Sequence, residues 1–407
     1  MMPIKHAALF LNGAAFKPSD WGDEGLPILR IAQLTGKPFD NYFDGKINRG
    51  LIIRDGDLLF SWSATIDAFI WDRGDAILNQ HIFKVLPKKN ADKRYLYYVI
   101  KAHAPRWADD DAHGSTMRHI KKESLSNKVW IPDLAKQKSI AGLLDEEVSR
   151  IDRLIEKRGR FSELVFERRL AMVSQSVIGT TNSVAPWLCD LPKGWKAERA
   201  KVHFRESQER SKSGDEELLT VSHITGVTKR SEKDVNMFMA ESNEGYKLVT
   251  RGDLIINTMW AWMGAMGVSS EHGLVSPSYG VYSPISGELR PGFVDVMVRS
   301  KPFIAEATRR SKGIHSSRLR LYPDAFLDMR LPIPPLETQD ALLKEISERT
   351  AREDKLLKKN QKAEALLQEY RTALISAAVS GQIDVETWKK RGHSDRRLDD
   401  IQEAMGA

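Results

Sequence analysis

The chain has 407 residues and a mass of 46.1 kDa, room for two or three domains of about 150 residues, and a single small module is excluded. Lys and Arg number 62 against 55 Asp and Glu, a net charge of +7 and a pI near 9.2, which leans mildly toward a polyanionic partner. The lone cysteine, Cys189, excludes an intrachain disulfide, a cysteine-rich zinc site and a CxxC redox pair, and fits a reducing, cytoplasmic compartment. The longest nearly apolar stretch, Leu254 to Val268, carries Asn257 and Thr258 and is too short and polar to cross a bilayer, so no membrane partner is expected.

Taken from the N-terminus, residues 1–130 read as a β-rich first domain. Its strand-like patches are Ile31 to Gly36, Gly56 to Leu59 and Ile82 to Pro87, each bounded by Gly, Asp, Asn or Pro. Basic and aromatic residues mix along it: Lys46 and Arg49 beside Tyr42 and Phe43, then Trp62 and Trp71, then His113, Ser115, Thr116, Arg118 and His119. Residues 131–180 read as a long helix, with a proline-containing entry, no further proline, and Gly179 at its end. Its apolar positions Leu144, Ile151, Leu154, Phe161, Val165 and Met172 recur as in a coiled-coil seam.

A linker follows at Thr180 to Pro186, and residues 187–332 repeat the first domain with drifting offsets. Val221 to Gly226 answers Ile31 to Gly36, Gly252 to Ile255 answers Gly56 to Leu59, and Tyr279 to Pro284 answers Ile82 to Pro87. Its basic and aromatic residues are Lys229 and Arg230, Trp260 and Trp262, and an acid-free run holding Arg309, Arg310, Lys312, Ser316, Ser317 and Arg318. Phosphates call for such cations, and base edges are read by Arg, Lys, Asn, Gln, Ser and Thr. Residues 333–381 form a second long helix whose seam is Ile346, Leu356, Ala363, Leu367, Tyr370 and Leu374, and residues 382–407 form a charged tail.

The two helices align without gaps at an offset of 202 residues, from Ile131/Ile333 to Gly179/Gly381. Identities include Pro132/Pro334, Gln137/Gln339, Asp152/Asp354 and Arg169/Arg371. A repeat of this kind decides architecture: α+β, with two β-rich globular domains alternating with two long helices, which either pair as a coiled coil or pack each on its own domain. Because one copy can stand in for the other, a fragment ending near Thr180 is expected to self-associate. Arg158 and Asn360 fall on the seams, and polar seam residues fix register and pairing.

The chemistry of an enzyme is not evident. There is no GxxxxGK[ST] loop, no GxGxxG and no methyltransferase tetrapeptide. His103, His113 and His119 lack metal-ligand spacing, and no metal site is expected. Pro323-Asp324 with Glu353-Asp354-Lys355 satisfies a loose nuclease pattern, but those carboxylates sit inside a helix where metal chemistry needs a strand end. Two readings besides DNA recognition stay open on the residues alone: a coiled-coil protein-interaction adaptor without DNA specificity, and a metal-dependent nuclease in its own right.

Leu331-Pro332-Ile333-Pro334-Pro335-Leu336-Glu337-Thr338-Gln339, its copy Val129 to Gln137, and the Gly-Asp-Leu strand start in each half together resemble the specificity subunit of type I restriction-modification systems. The first copy departs where Asp133 and Ala135-Lys136 replace Pro335 and Glu337-Thr338, and the first domain lacks the Leu191-Pro192-Lys193-Gly194-Trp195 opening of the second, so its first strand is expected to be shortened or differently capped. The resemblance implies a non-catalytic chain. Its two target recognition domains would each read half of a bipartite double-stranded DNA sequence, and its helices would pair antiparallel, set the spacing and dock two methyltransferase subunits. Adenine-N6 methylation and ATP-dependent cleavage would belong to methyltransferase and restriction/translocase partners. S-adenosylmethionine, ATP and Mg²⁺ would be bound there, and no cofactor by this chain.

Overall fold

The computed structural model describes residues 1–112, 118–178, 188, 191–232, 242–313, 319–385 and 388. The chain divides into two compact units, Met1–Arg160 with Lys359–Ala407, and Phe161–Lys358. Each unit holds one β-rich head together with part of each long helix.

In the first unit, strand Met2–Pro3 pairs with Lys128–Val129 at the foot of the head. Above it stands a four-stranded antiparallel sheet in the order Ala8–Asn12, Ile82–Pro87, Leu58–Ser61, Asp67–Ile70. Alternate residues of its inner strands enter different cores. Leu58, Phe60, Phe83 and Val85 face the core shared with helix Lys93–Asp111 and the long helices, while Leu59 and Ile82 face Leu29, Ile53 and Leu78 of the second sheet. A strand buried on both faces reads as an unbroken apolar run, which is why Leu58-Leu59-Phe60 shows no alternation. The second sheet runs Tyr42–Phe43, Leu26–Leu29, Ala76–Leu78, Ile52–Ile53, with one parallel pairing in it.

The second head repeats the plan. Strand Lys196–Arg199 pairs with Arg330–Ile333 at the foot, and the four-stranded sheet runs Phe204–Glu206, Tyr279–Pro284, Leu254–Asn257, Met266–Val268. Leu254, Ile256 and Tyr282 face one core, Ile255 and Val281 the other. The foot strand of the first head is indeed shorter, two residues against four. The Ile82–Pro87 and Tyr279–Pro284 patches are strands with matching bounds. Ile31 to Gly36 is not a strand: Ile31–Leu34 forms a helical turn because the Gln33 side chain accepts the Arg30 N–H and reaches back from the third helical position, while Arg30 holds Asp40 at 2.6 Å. Its counterpart Val221 to Gly226 is a hairpin turn, with the end of strand Leu219–Ser222, a turn at 223–225 and the start of strand Gly226–Lys229.

The long helices span Leu134–Ile178 and Leu336–Val379, about 65 Å each. Asp133 answers its departure from the repeat by capping the first, its carboxylate accepting the Lys136 N–H at 2.8 Å, whereas the second begins behind Pro335 with Glu337 in its first turn. The second helix ends on Gly381 at φ +79°. There the Gly381 N–H bonds to Ala378 O and the Gln382 N–H to Ala377 O, the pattern that satisfies terminal carbonyls through a left-handed glycine. Gly179 and the Thr180 to Pro186 linker lie outside the described residues, as does most of the tail.

In both units the helix segments run antiparallel. Arg371 bonds to Asp152 at 2.5 Å in the first unit, and Arg169 bonds to Glu353 and Asp354 at 2.9 and 2.7 Å in the second. Leu144, Ile151, Ala363, Leu367 and Leu374 of the expected seams are buried, but Phe161 and Leu356 are 40% and 50% exposed. Both belong to the second unit, where Arg169 reaches across with its ion pairs. Glu353 is therefore a structural partner of Arg169, and nothing about it resembles a metal ligand at a strand end.

Candidate nucleic-acid interface

Strand direction defines a foot and a tip in each head. In the first, Ala8 pairs with Pro87 at the foot, while Asn12 and Ser61 lie at the tip beside Phe83 and Ile82. The foot is fastened by Gln137, fully buried. Its Oε1 accepts the Asp92 N–H at 2.8 Å, and its Nε2 donates to the Asn90 and Pro132 carbonyls at 2.9 and 2.7 Å. Gln339 repeats this with the Arg290 N–H at 2.8 Å and the Glu288 and Pro334 carbonyls at 2.7 and 2.8 Å. The repeated glutamine thus pins the start of each long helix to the head before it, leaving the opposite end of each sheet free to carry recognition loops.

At the first tip, Trp62–Ile66 joins two strands in five residues. The Ile120 N–H donates to Trp62 O at 2.8 Å, and the Ala64 N–H donates to Arg118 O at 3.2 Å. The chain returning from helix Lys93–Asp111 is thereby laid along this loop. His81, from the Asn79–His81 turn, stands 5.4 Å from the Trp62 ring, and the Trp62 indole N–H donates to Asn12 at 3.2 Å. Ala64 sits at φ +57°, a left-handed backbone that costs a non-glycine residue about 1 kcal/mol. The returning chain is tied by carboxylates: Arg118 pairs with Asp109, and Asp111 accepts the Lys121 N–H at 2.9 Å and the Ser124 hydroxyl at 2.6 Å.

The second tip has the same scaffold with other contents. Thr258–Ala265 joins its strands in eight residues, and the Leu321 N–H donates to Thr258 O at 2.9 Å, the equivalent of Ile120 on Trp62. Trp260, 49% exposed, stacks on Trp262 with centroids 6.4 Å apart and planes 17° apart. Gly264 closes the turn at φ +89°, where a Cβ would lie 2.6 Å from Ile304 Cδ1, so both conformation and space demand glycine. Lys312 and Arg320, both exposed, pair backbone to backbone at 3.0 and 2.9 Å, forming a short stem.

The predicted residues therefore fall into groups. Trp62 and Arg118 lie at the first tip, Trp260 and Lys312 at the second. His113, Ser115, Thr116, Ser316, Ser317 and Arg318 lie outside the described residues. Lys46 and Arg49 are exposed on the connection after strand Tyr42–Phe43, and Lys229 and Arg230 lie at the end of strand Gly226–Lys229, Lys229 being 3.7 Å from Glu271. Arg309 and Arg310 close helix Lys301–Arg310 on Glu306 at 2.7 and 2.5 Å, with Arg310 also 3.7 Å from Asp328. Burial alone would raise the Glu306 carboxyl, but the hydrogen bonds from Arg309 and Arg310 outweigh it and hold that carboxyl below its ordinary range. Arg310 is therefore chiefly an anchor, while the Arg309 side chain stays 67% exposed.

Trp71 is a core residue, 3% exposed, and His103 stacks on Trp107, burial and Arg106 lowering its pKa. The sequence reading did not single out Asn12, Gln80 or His81. Their signal was position alone: one ends a strand, and two precede the repeated Ile82 patch. Among the described residues, Glu198, His203 and Glu288 combine ligand types at close range. The buried His203 ring already has Ser286 at 2.7 Å and Glu198 at 3.1 Å on its two nitrogens, so the group forms a hydrogen-bonded knot at the foot of the second head.

Comparison with known proteins agrees with this geometry. Residues 10–158 match the family model described as the type I restriction modification DNA specificity domain. The chain is 22% identical to the type I restriction enzyme EcoBI specificity subunit of Escherichia coli, over 93% of this chain and 84% of that protein. Among solved structures, a chain from a study of complex assembly and conformational transition of the type I R-M system is 14% identical, with TM-score 0.66 over 94% of this chain and all of that one. The HsdS subunit from Thermoanaerobacter tengcongensis is 15% identical, with TM-score 0.49 over 94% of this chain and 96% of that one.

Proposed function

We infer that the chain is the specificity subunit of a type I restriction-modification system, a sequence-specific DNA-recognition subunit, and its two unlike tips take their meaning from that premise. The observation that carries the reading is one scaffold built twice with different contents: a five-residue loop with Trp62 and Arg118, and an eight-residue loop with Trp260 beside the Lys312–Arg320 stem. Two readers of different chemistry on equivalent frames suit a bipartite, asymmetric double-stranded target, each head taking one half. Cations at the tips neutralise phosphate, and the neighbouring polar and aromatic groups meet base edges.

Two methyltransferase subunits dock on the long helices, and restriction/translocase subunits complete the assembly in the cytoplasm. S-adenosylmethionine, ATP and Mg²⁺ serve those partners. This chain supplies position, not bond chemistry, and Glu353, engaged by Arg169, has no catalytic part. Mixed alone with DNA, Mg²⁺, ATP and S-adenosylmethionine, it is expected neither to cut nor to methylate. Activity abolished by Glu353→Ala would refute this.

The deciding experiment maps methylated sites in cells carrying the partner subunits with either the parent chain or the Trp260→Ala, Lys312→Ala variant. Altered or relaxed preference confined to one half-site is the expected result. A protein-only adaptor would give no salt-sensitive DNA binding and no change in sites.

A further inference from the structure

The internal repeat relates one ion-paired hydrogen bond between the long helices in each unit. The 202-residue offset carries Asp152 to Asp354 and Arg169 to Arg371, so the Arg371–Asp152 bond of the first unit and the Arg169–Asp354 bond of the second are the same contact made twice. A further contact joins two equivalent positions of the repeat. Arg158 Nη1 donates to Asn360 Oδ1 at 3.2 Å, and Asn360 Nδ2 donates to Arg158 O at 2.8 Å. The offset carries Arg158 to Asn360, so this pair maps onto itself.

We infer that Arg158 and Asn360 form a matched polar layer which selects, as the partner of each long helix, the other long helix of the same repeat rather than a second copy of itself. Asn360 is 2% exposed, and its amide oxygen needs a donor while its amide nitrogen needs an acceptor. The Arg158 guanidinium and the Arg158 carbonyl supply both. Two first helices in this register would set Arg158 against Arg158, two half-buried cations with no side-chain acceptor between them. Two second helices would set Asn360 against Asn360, where two amides can satisfy each other. The expectation that a fragment ending near Thr180 self-associates therefore meets an obstacle at its central layer that the seam pattern did not show.

The two members should also be interchangeable, because the repeat makes their positions equivalent, and that gives the test in the full chain. Three variants are compared with the parent by thermal unfolding: Asn360→Arg, Arg158→Asn, and the double exchange of the two. Asn360→Arg places two guanidiniums in one layer and should lower the Tm by roughly 5 °C or more. Arg158→Asn makes an amide pair and should move it less. The double exchange should recover most of the loss. Rescue is the decisive reading, since the double exchange restores one guanidinium facing one amide in the layer. An unchanged Tm for Asn360→Arg, or a double exchange no better than Asn360→Arg, overturns the inference. Failure here would leave the DNA-reading assignment standing, because that assignment is judged on methylated sites.

Discussion

The two heads differ at their tips and agree where they meet the helices. At the foot, Gln137 and Gln339 make the same three hydrogen bonds to within 0.2 Å. Gly56-Asp57 and Gly252-Asp253 turn the same way, with Asp57 and Asp253 accepting the Arg54 and Thr250 N–H groups at 2.8 and 2.7 Å. At the tips, loop length, aromatic content and tether all change, from Asp109 and Asp111 carboxylates in one head to a backbone stem in the other. Packing constrains the foot from every side. The tip is bounded by solvent, so its chemistry is free to vary with the sequence to be read.

That contrast can be broken most severely at the foot. Gln137→Ala and Gln339→Ala each strand three backbone partners packed at the foot, so each should cost about 2 to 3 kcal/mol, and the two losses should be alike. Urea denaturation of the two variants measures both; clearly unequal losses would mean that the feet are not equivalent. Arg318→Ala, by contrast, should leave stability intact and weaken binding by about 1 to 3 kcal/mol with relaxed preference in one half-site if it touches a base, or lower the salt slope with preference unchanged if it touches phosphate. A competition titration at several salt concentrations separates these outcomes, and no change in either removes Arg318 from the interface.

Smaller effects sharpen the comparison of the tip turns. Gly264→Ala meets both a positive φ and Ile304 and should cost about 1 to 2 kcal/mol, while Ala64→Gly relieves a positive φ and should be neutral or slightly stabilising. Opposite signs in thermal unfolding are the expected pattern. The smallest effect is one of pH. Glu306 has its folded pKa depressed below 4.5, so its contribution is fully present above the ordinary glutamate range and fades as pH falls through the depressed value. Glu306→Gln should remove that acid-side loss from the pH dependence of Tm, while lowering the Tm at neutral pH.

Repeated apolar and glycine-bounded segments exposed the framework in the sequence, because strands buried on both faces and helices with a recurring seam leave dense local patterns. Ile31 to Gly36 misled because a side chain settled its conformation: Gln33 capping Arg30 outweighed a β-like composition. The exposure of Phe161 and Leu356 was hidden because a seam pattern does not reveal where an ion pair such as Arg169–Glu353 replaces apolar contact. The candidate site was legible as residue types, not as a place. Trp62 and Trp71 look alike in sequence, yet one lies at the tip and the other fills a core. Arg309 and Arg310 looked like free cations until Glu306, three and four residues back, claimed them.

The buried glutamine has a consequence for how such chains can be recombined. Every group that Gln137 holds lies between Asn90 and the glutamine itself, and the same is true of Gln339 back to Glu288. A crossover placed just after either glutamine moves a head together with its whole fastening, and joins it to a helix whose next residues belong to the same repeat. A crossover between Asn90 and Gln137 separates donor from acceptor and leaves the joint to be matched by chance. The fold therefore carries its own cutting line, drawn one turn into each helix rather than at the visible border between head and helix.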